Sequence, residues 1–275
     1  VILDDTESSP GSTTSLLRTI VGTSLRRLGG WIAVAHLVEL AGTVGLPEAR
    51  TRTALARIKA KGLLAAQSRD GVPGYALVPD AIPMLERGDR RIFHPRTMAD
   101  GDRWCLISYS VPEENRDLRH QLRRRLTWIG CGAVSPALWI CPEYLTGEVE
   151  EILADLGLSS NATVFLATEV RGPADVTRWW DLGSIRARHD AFLAAHGDTP
   201  TTLGDTPEDA FRAWIHGLDS WRIIPYIDPG LPARLLPADW PGHRSVALFL
   251  ELRDHVLPRA HAYAEQVTGA AHVAP

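Results

Sequence analysis

The run LPEARTRTALARIKAKGLL at positions 46–64 constrains this chain more than any other stretch. Pro47 suits the start of a helix, where no backbone N–H is needed. Gly62 suits its end, where the chain turns through the left-handed region. Between them lie two apolar residues at i and i+3, Leu55 and Ile58, and the cations Arg50, Arg52, Arg57, Lys59 and Lys61. With about 100° per residue, Thr51, Leu55, Ile58 and Gly62 share one side. Arg50, Thr53, Ala56, Arg57 and Ala60 share the opposite side, and Arg52, Lys59 and Lys61 flank them. The spacing therefore predicts a helix with a narrow buried seam and a broad cationic face interrupted by small residues. Small residues let a backbone approach a groove wall, and arginines reach phosphates and guanine edges. Two readings fit such a helix: a DNA recognition helix or a solvated basic surface helix.

The neighbouring sequence favours the first. Residues 15–28 carry Leu16, Leu17, Ile20, Val21 and Leu25 at helical spacing, closed by Gly29-Gly30. Residues 31–42 give a second helix, and 42–45 a short turn before the basic helix, so the order matches a helix-turn-helix. Residues 63–67, a turn at Arg69-Asp70-Gly71, and residues 74–78 read as a hairpin, which makes the unit a winged helix over 15–80. Arg50, Thr53 and Arg57 face outward as base or phosphate readers. Arg52, Lys59 and Lys61 suit phosphate contacts or internal pairs, and Arg69 stands at the wing. Charge follows the same division: residues 11–100 hold 13 Lys+Arg against 7 Asp+Glu, although the whole chain has a net charge of −4. One basic segment on an acidic body fits a binding head on a regulatory body.

Residues 1–14 are polar and acidic and read as a disordered tail. Residues 81–102 read as a linker, with Pro79 just before it and Pro83, Gly88 and Pro95 within it as breakers. Over 103–172 the pattern is a strand (104–111), a helix (113–129), strand-like segments around Pro136, a helix (143–156) and a strand (163–170). That β-α-β-β-α-β order predicts a ferredoxin-like domain. Its run Arg123-Arg124-Arg125 reads first as a solvated face and second as a DNA or partner contact. Residues 173–275 read as a mainly helical domain, with helices over 176–196, 207–221 and 244–267. Thr206 is placed to cap the middle one. Residues 224–242 hold Pro225, Pro229, Pro232, Pro237 and Pro241 among apolar residues, which predicts an ordered, rigid loop.

Composition removes several function classes. With 275 residues, 45% hydrophobic and 23% charged, the chain has an ordinary globular composition. No apolar run reaches the roughly 18 residues of a membrane span, and residues 1–15 lack the build of a signal peptide. Three scattered cysteines, Cys105, Cys131 and Cys141, form no disulfide framework and fit a reducing cytoplasm. No CxxC, no histidine pair at ligand spacing and no phosphate-cradling glycine motif occurs, so neither a metal nor a nucleotide cofactor is expected.

The ordered set of the basic helix, RWCLISYSVPEENRDLRHQLRRRLTWIGCGAVSPALWICP and SWRIIPYIDPGLPARLLPADWPG resembles the PaaX family of bacterial transcriptional repressors over roughly residues 15–268. The resemblance implies an α+β chain: an N-terminal winged helix, a central ferredoxin-like domain used for homodimerisation, and a C-terminal mainly α-helical domain. It also implies repression of aromatic-acid catabolism genes, typically for phenylacetate, through double-stranded operator DNA. Release would come from an acyl-CoA thioester such as phenylacetyl-CoA, and the chain would not be an enzyme. Family wings are richer in arginine than this one. An acyl-CoA site needs arginines beside aromatics, and Trp179, Arg186, Arg188, Trp221, Arg222 and Trp240 supply them, unless these tryptophans build a core. Asp228-Pro229-Gly230 reads as a turn. Two alternatives stay open. One is a metal-dependent nuclease built on the central domain, which a strand ending Tyr109-Ser110-Val111, without a carboxylate, disfavours. The other is a ligand-binding paralogue with reduced DNA binding.

Overall fold

The computed structural model describes residues 9–171 and 178–269. The first eight residues of the expected tail, and the start of the helix expected from 176, lie outside them. In chain order the first elements are α1 (Thr13–Ser24), β1 (Trp31–Ala33), α2 (Val34–Thr43), α3 (Glu48–Ala60), β2 (Leu64–Arg69), β3 (Val72–Leu77) and α4 (Ile82–Phe93). Next come β4 (Trp104–Tyr109), α5 (Arg116–Trp128), β5 (Gly132–Ser135), β6 (Leu138–Pro142), α6 (Thr146–Asp155) and β7 (Ala162–Ala167). The last are α7 (Leu182–His196), α8 (Thr199–Thr202), α9 (Pro207–Trp221), α10 (Ile224–Ile227) and α11 (Gly242–Thr268).

The residues group into two units. One takes the chain through Phe93, then Ala191–Arg222 and the residues from Arg244; the other takes His94–Asp190 and Ile223–His243. The first unit holds the winged helix. Leu16, Leu17, Ile20, Val21, Leu37, Leu40, Leu55 and Ile58 are its buried centre. Its sheet has the order β1-β3-β2. Trp31–Ala33, expected as the start of a helix, is instead a strand. Gly29 and Gly30 turn the chain at φ 79° and 76°, and Trp31, Ile32 and Ala33 then pair antiparallel with Ala76, Tyr75 and Gly74.

Helix α4 occupies most of the stretch expected to be a linker. Two of the prolines read as breakers sit where a helix tolerates them: Pro79 starts a 3-10 turn and Pro83 lies in the first turn of α4; Pro95 follows the end of α4. Phe93 stacks on Trp214 with ring centroids 6.2 Å apart, and the Ile92 carbonyl accepts from Trp221 Nε1 at 2.9 Å. The tail is also shorter than expected, because Ser12 already caps α1 through Ser15 N–H. Helix α9 begins as expected, with Thr206 Oγ1 accepting from Asp209 N–H at 3.0 Å. Its residues Phe211, Trp214, Ile215, Leu218 and Trp221 are buried, and α9 packs on α1.

The second unit is a four-stranded antiparallel sheet of order β5-β6-β4-β7 with two helices, the ferredoxin-like arrangement. Alternation along β4 separates its two faces. Cys105 points toward α6, where it interacts with Thr146 and Glu150. Trp104 points the other way, into a cluster with Met98, Ile140, Trp180, Leu182, Ile185 and Leu231. The proline-rich segment thus covers sheet: Leu231 is buried, Met98 N–H donates to the Gly230 carbonyl at 2.8 Å, and Tyr144 Oη donates to the Pro229 carbonyl.

Candidate nucleic-acid interface

Helix α3 buries Thr51, Ala54, Leu55 and Ile58 and exposes everything else from Glu48 to Ala60. Thr51 Oγ1 donates to the Pro47 carbonyl at 3.1 Å, which satisfies the one polar side chain on the buried seam. Arg50, Arg52, Thr53, Arg57, Lys59 and Lys61 are all exposed. Their surroundings separate them. Arg52 is held by Glu48 one turn back, through Nε at 3.0 Å and Nη2 at 2.7 Å. Thr53 Oγ1 donates to the Ala49 carbonyl at 3.1 Å, leaving its methyl group and oxygen lone pair outward. Arg50, Arg57 and Lys59 have no ion pair among the described residues. Ala49, Ala56 and Ala60 are exposed between them and keep the face low.

The wing is a tight two-residue hairpin. Arg69 pairs with Val72, and Asp70 and Gly71 between them have φ of 50° and 80°, the positive values a twisted two-residue turn needs. Trp31 fixes the wing to the head. Its Nε1 donates to the Gln67 carbonyl at 2.9 Å, its ring lies over Gly74, and the Arg69 guanidinium sits 5.2 Å from the ring centroid. Sequence reading placed Trp31 in a helix and missed this role. A signal existed, since an apolar Trp-Ile-Ala run after two glycines suits a short strand. A Cβ at Gly74 would fall on the Trp31 ring and within 2.6 Å of the Ile32 carbonyl oxygen. We expect Gly74→Ala to cost about 1–3 kcal/mol in a denaturant titration through this overpacking; an unchanged midpoint would show that both the Trp31 ring and the β1 backbone at Ile32 yield freely.

The six residues singled out for an effector fall in different units. Trp221 and Arg222 belong to the unit with the winged helix, and Trp179, Arg186, Arg188 and Trp240 to the unit with the ferredoxin-like sheet. Trp221 is 1% exposed and stacks on Phe249, with centroids 4.7 Å apart. Arg222 is paired with Asp219 and donates to Ser15 Oγ at 2.8 Å. Arg186 forks onto Asp239, at 3.0 and 2.6 Å. Trp179 and Trp240 are half-buried and Arg188 is exposed. The Asp228-Pro229-Gly230 turn forms as expected, with Gly230 N–H donating to Asp228 Oδ1 at 2.8 Å. The other carboxylate oxygen of Asp228 lies 2.8 Å from Nε2 of the buried His189, whose ring meets Trp240 edge-on.

Sequence reading did not find the polar hub of the first unit. Asp219, on α9, is 1% exposed. Its carboxylate accepts from Gly11 N–H at 2.7 Å, Ser15 Oγ at 2.6 Å, Thr19 Oγ1 at 2.8 Å and Arg222 Nε at 3.3 Å. The central sheet carries a different buried pair. Cys105 lies opposite Cys141, and their hydrogen bond, with burial, pushes the Cys105 thiol well above its usual range. Such a thiol is unreactive. Among the described residues no group of three or more His, Cys, Asp or Glu is placed to hold a metal ion.

Three family models match the chain in series: "PaaX-like protein" at residues 12–80, "PaaX protein central Cas2-like domain" at 97–178 and "PaaX-like protein C-terminal domain" at 180–266. The chain belongs to the PaaX family. Within that family it is 27% identical over 268 residues to the transcriptional repressor PaaX of Escherichia coli strain K12, covering 94% of this chain and 84% of that one. Its structure is similar to the uncharacterized protein Rv0674 of Mycobacterium tuberculosis, with a TM-score of 0.57 and 25% identity over 91% of this chain and 99% of the other. The N-terminal PaaX match spans α1 through the wing and so contains every candidate DNA contact on α3 and the wing. The central PaaX match contains β4 through β7, and the C-terminal one contains α7 through most of α11.

Proposed function

We propose that this protein is a DNA-binding transcriptional repressor of the PaaX type. One observation carries the reading: an exposed arginine face on α3, with Arg50 and Arg57 unpaired among the described residues, inside a winged helix that the PaaX-like model matches. A structural surface helix gains from pairing its arginines with nearby acids, as Arg52 does with Glu48. Arginines left unpaired beside small residues fit a phosphate-lined groove.

The protein acts in the cytoplasm as a homodimer on double-stranded operator DNA. Two recognition helices related by a twofold axis match a palindromic site. Edge strand β7 supports a dimer through the central domain, since Phe165 and Leu166 on it are 53% and 48% exposed. The genes controlled belong to aromatic-acid catabolism of the phenylacetate kind, and the effector is an acyl-CoA thioester such as phenylacetyl-CoA. The name of the Escherichia coli relative and the family resemblance support this choice. Arg188, exposed, and the half-buried Trp179 and Trp240 are the residues of the second unit suited to its phosphates and acyl group, and Arg186 joins them only by leaving Asp239. Release follows if the effector binds better to a dimer whose heads are mis-spaced for the two half-sites.

A nuclease reading has less support. Strand β4 ends on Tyr109, and the next residue, Ser110, uses its N–H on the Asn161 carbonyl and its carbonyl on Asn161 Nδ2. No carboxylate stands at that position to hold a divalent metal.

The test is retardation of the DNA upstream of this protein's own gene. The expected result is a sequence-specific complex that phenylacetyl-CoA dissolves and free coenzyme A does not. Absence of any specific complex overturns the repressor reading. A complex that resists every acyl-CoA overturns the effector alone.

A further inference from the structure

We infer that helix α5 is a second phosphate-binding surface, one that grips the backbone of duplex DNA without reading its sequence. The inference rests on the DNA-binding reading above.

The helix RDLRHQLRRRLTW carries Arg116, Arg119, Arg123, Arg124 and Arg125 against a single acid, Asp117. Leu122, Leu126 and Trp128 are buried and anchor it to its unit. Arg116, His120, Arg123, Arg124 and Thr127 are exposed. Two of the arginines are engaged inside the protein. Arg119 pairs with Glu113 at 2.6 Å, and Arg125 reaches Asp155 of α6 at 3.4 Å. Arg116, Arg123 and Arg124 have no ion pair among the described residues. Arg116 and Arg123, seven residues apart, lie within about 20° of each other around the helix, and Arg124 borders them.

Two features separate this stripe from an ordinary solvated face. A neutral surface intersperses charges of both signs, whereas here the signs are segregated by helix. α5 has five arginines, and α6 has Glu148, Glu150, Glu151 and Asp155 with no Lys or Arg. The segment 101–170 as a whole is acidic, with 10 Asp+Glu against 6 Lys+Arg, so partners for the free arginines are not scarce in sequence. The second feature is reach. Seven residues of helix advance about 10.5 Å, close to the ~12 Å width of a major groove. Guanidinium groups at that separation can each take a phosphate, by paired hydrogen bonds. A duplex is favoured over an acidic protein because the same chain carries a winged helix. Once the head is bound, DNA is present at high effective concentration, and contacts too weak to act alone become useful.

The experiment measures binding of the full-length protein to its upstream operator and to a scrambled duplex over a series of salt concentrations. The variant is R116Q/R123Q/R124Q, and R116K/R123K/R124K keeps charge without the fork. Each lost phosphate contact removes about 0.9 from the slope of log affinity against log salt. The glutamine variant is therefore expected to lose a slope of about 2–3, and affinity of roughly 10²-fold at ~0.1 M salt, on both duplexes equally. The lysine variant is expected to keep most of the slope. Thermal unfolding of both variants should match the parent, since the three side chains are exposed. A glutamine variant that binds with the parental slope overturns the assignment while leaving the α3 reading intact. A loss confined to the operator overturns it too, because the contact would then read sequence. A parent protein that binds neither duplex overturns both readings.

Discussion

Asp219→Ala is expected to destabilise the protein by about 3–5 kcal/mol, the cost of stripping a buried charge of its partner. The carboxylate collects four donors, and three of them, Gly11 N–H, Ser15 Oγ and Thr19 Oγ1, come from the start of the chain and α1. The fourth is Arg222, which is 7% exposed and also donates to Ser15 Oγ. Truncation leaves a guanidinium in the interior without this counter-charge and the buried Ser15 hydroxyl without its acceptor, while Thr19 Oγ1 keeps the Ser15 carbonyl at 3.2 Å. At about 2–4 °C per kcal/mol for a chain of this size, the melting temperature should fall by roughly 10 °C. Urea titration followed by tryptophan fluorescence measures the loss directly, because Trp214 and Trp221 lie on the same helix. A loss under about 1 kcal/mol would place the stability of α1 in its apolar contacts alone. Asp219→Asn should cost less, since an amide oxygen can still accept from Ser15 and Thr19. Operator affinity corrected for the folded fraction should be nearly unchanged, because Asp219 touches α1 rather than α3.

That hub also marks where sequence reading stops. Periodicity found α9 to the residue, because a proline start, the Thr206 cap and five large apolar residues all agree. It could not find Asp219, whose partners lie about 200 positions away at Gly11, Ser15 and Thr19. The only local sign is Asp219 and Arg222, an acid and a base three apart, on the arc shared by Leu218 and Trp221. The same limit governs the C-terminal segment. The C-terminal family match at 180–266 is a unit of sequence. By contacts, α9 and α11 group with the winged helix, and residues 223–243 group with the ferredoxin-like sheet. A chain that interleaves in this way leaves no composition break to read.

Local misreadings have local causes. Pro79 and Pro83 read as breakers from sequence, although both occupy helix-start positions where proline is at home. Trp31–Ala33 has too few residues for any period to declare itself, and its strand exists only because Gly74–Ala76 lies alongside. Among the candidate contacts, sequence gave the exposed face of α3 correctly, because burial of Thr51, Leu55 and Ile58 follows from spacing alone. It set Arg52 apart from Arg50 and Arg57, as a phosphate contact or an internal pair. It named the internal pair only as a possibility, and the Glu48 fork settles it for Arg52. For the effector residues, type was not enough: Trp221 and Trp240 look alike in sequence, yet one is 1% exposed in a stacked core and the other is half-buried beside His189.

The double variant R50A/R57A should give the largest loss of operator binding. Each arginine that reads a base is worth about 1–3 kcal/mol. The two side chains lie two turns apart on α3, about 10 Å along the axis, so their losses should nearly add. The expected total is about 2–6 kcal/mol, or from roughly 30-fold to 10⁴-fold in dissociation constant. Arg52→Ala is the internal control. Its guanidinium is already engaged by Glu48, so its removal should change affinity only a few-fold. The wing cannot make up the difference, because its tip offers Arg69 beside Asp70, and Arg69 is drawn over the Trp31 ring. Competition with duplexes altered at single positions separates the two roles: loss of a base reader flattens the preference at one position, whereas loss of a phosphate contact weakens all duplexes alike. A double variant within threefold of the parent on the operator would remove α3 from the interface, since among the described residues no other helix of the winged helix exposes two arginines without an ion pair on one face.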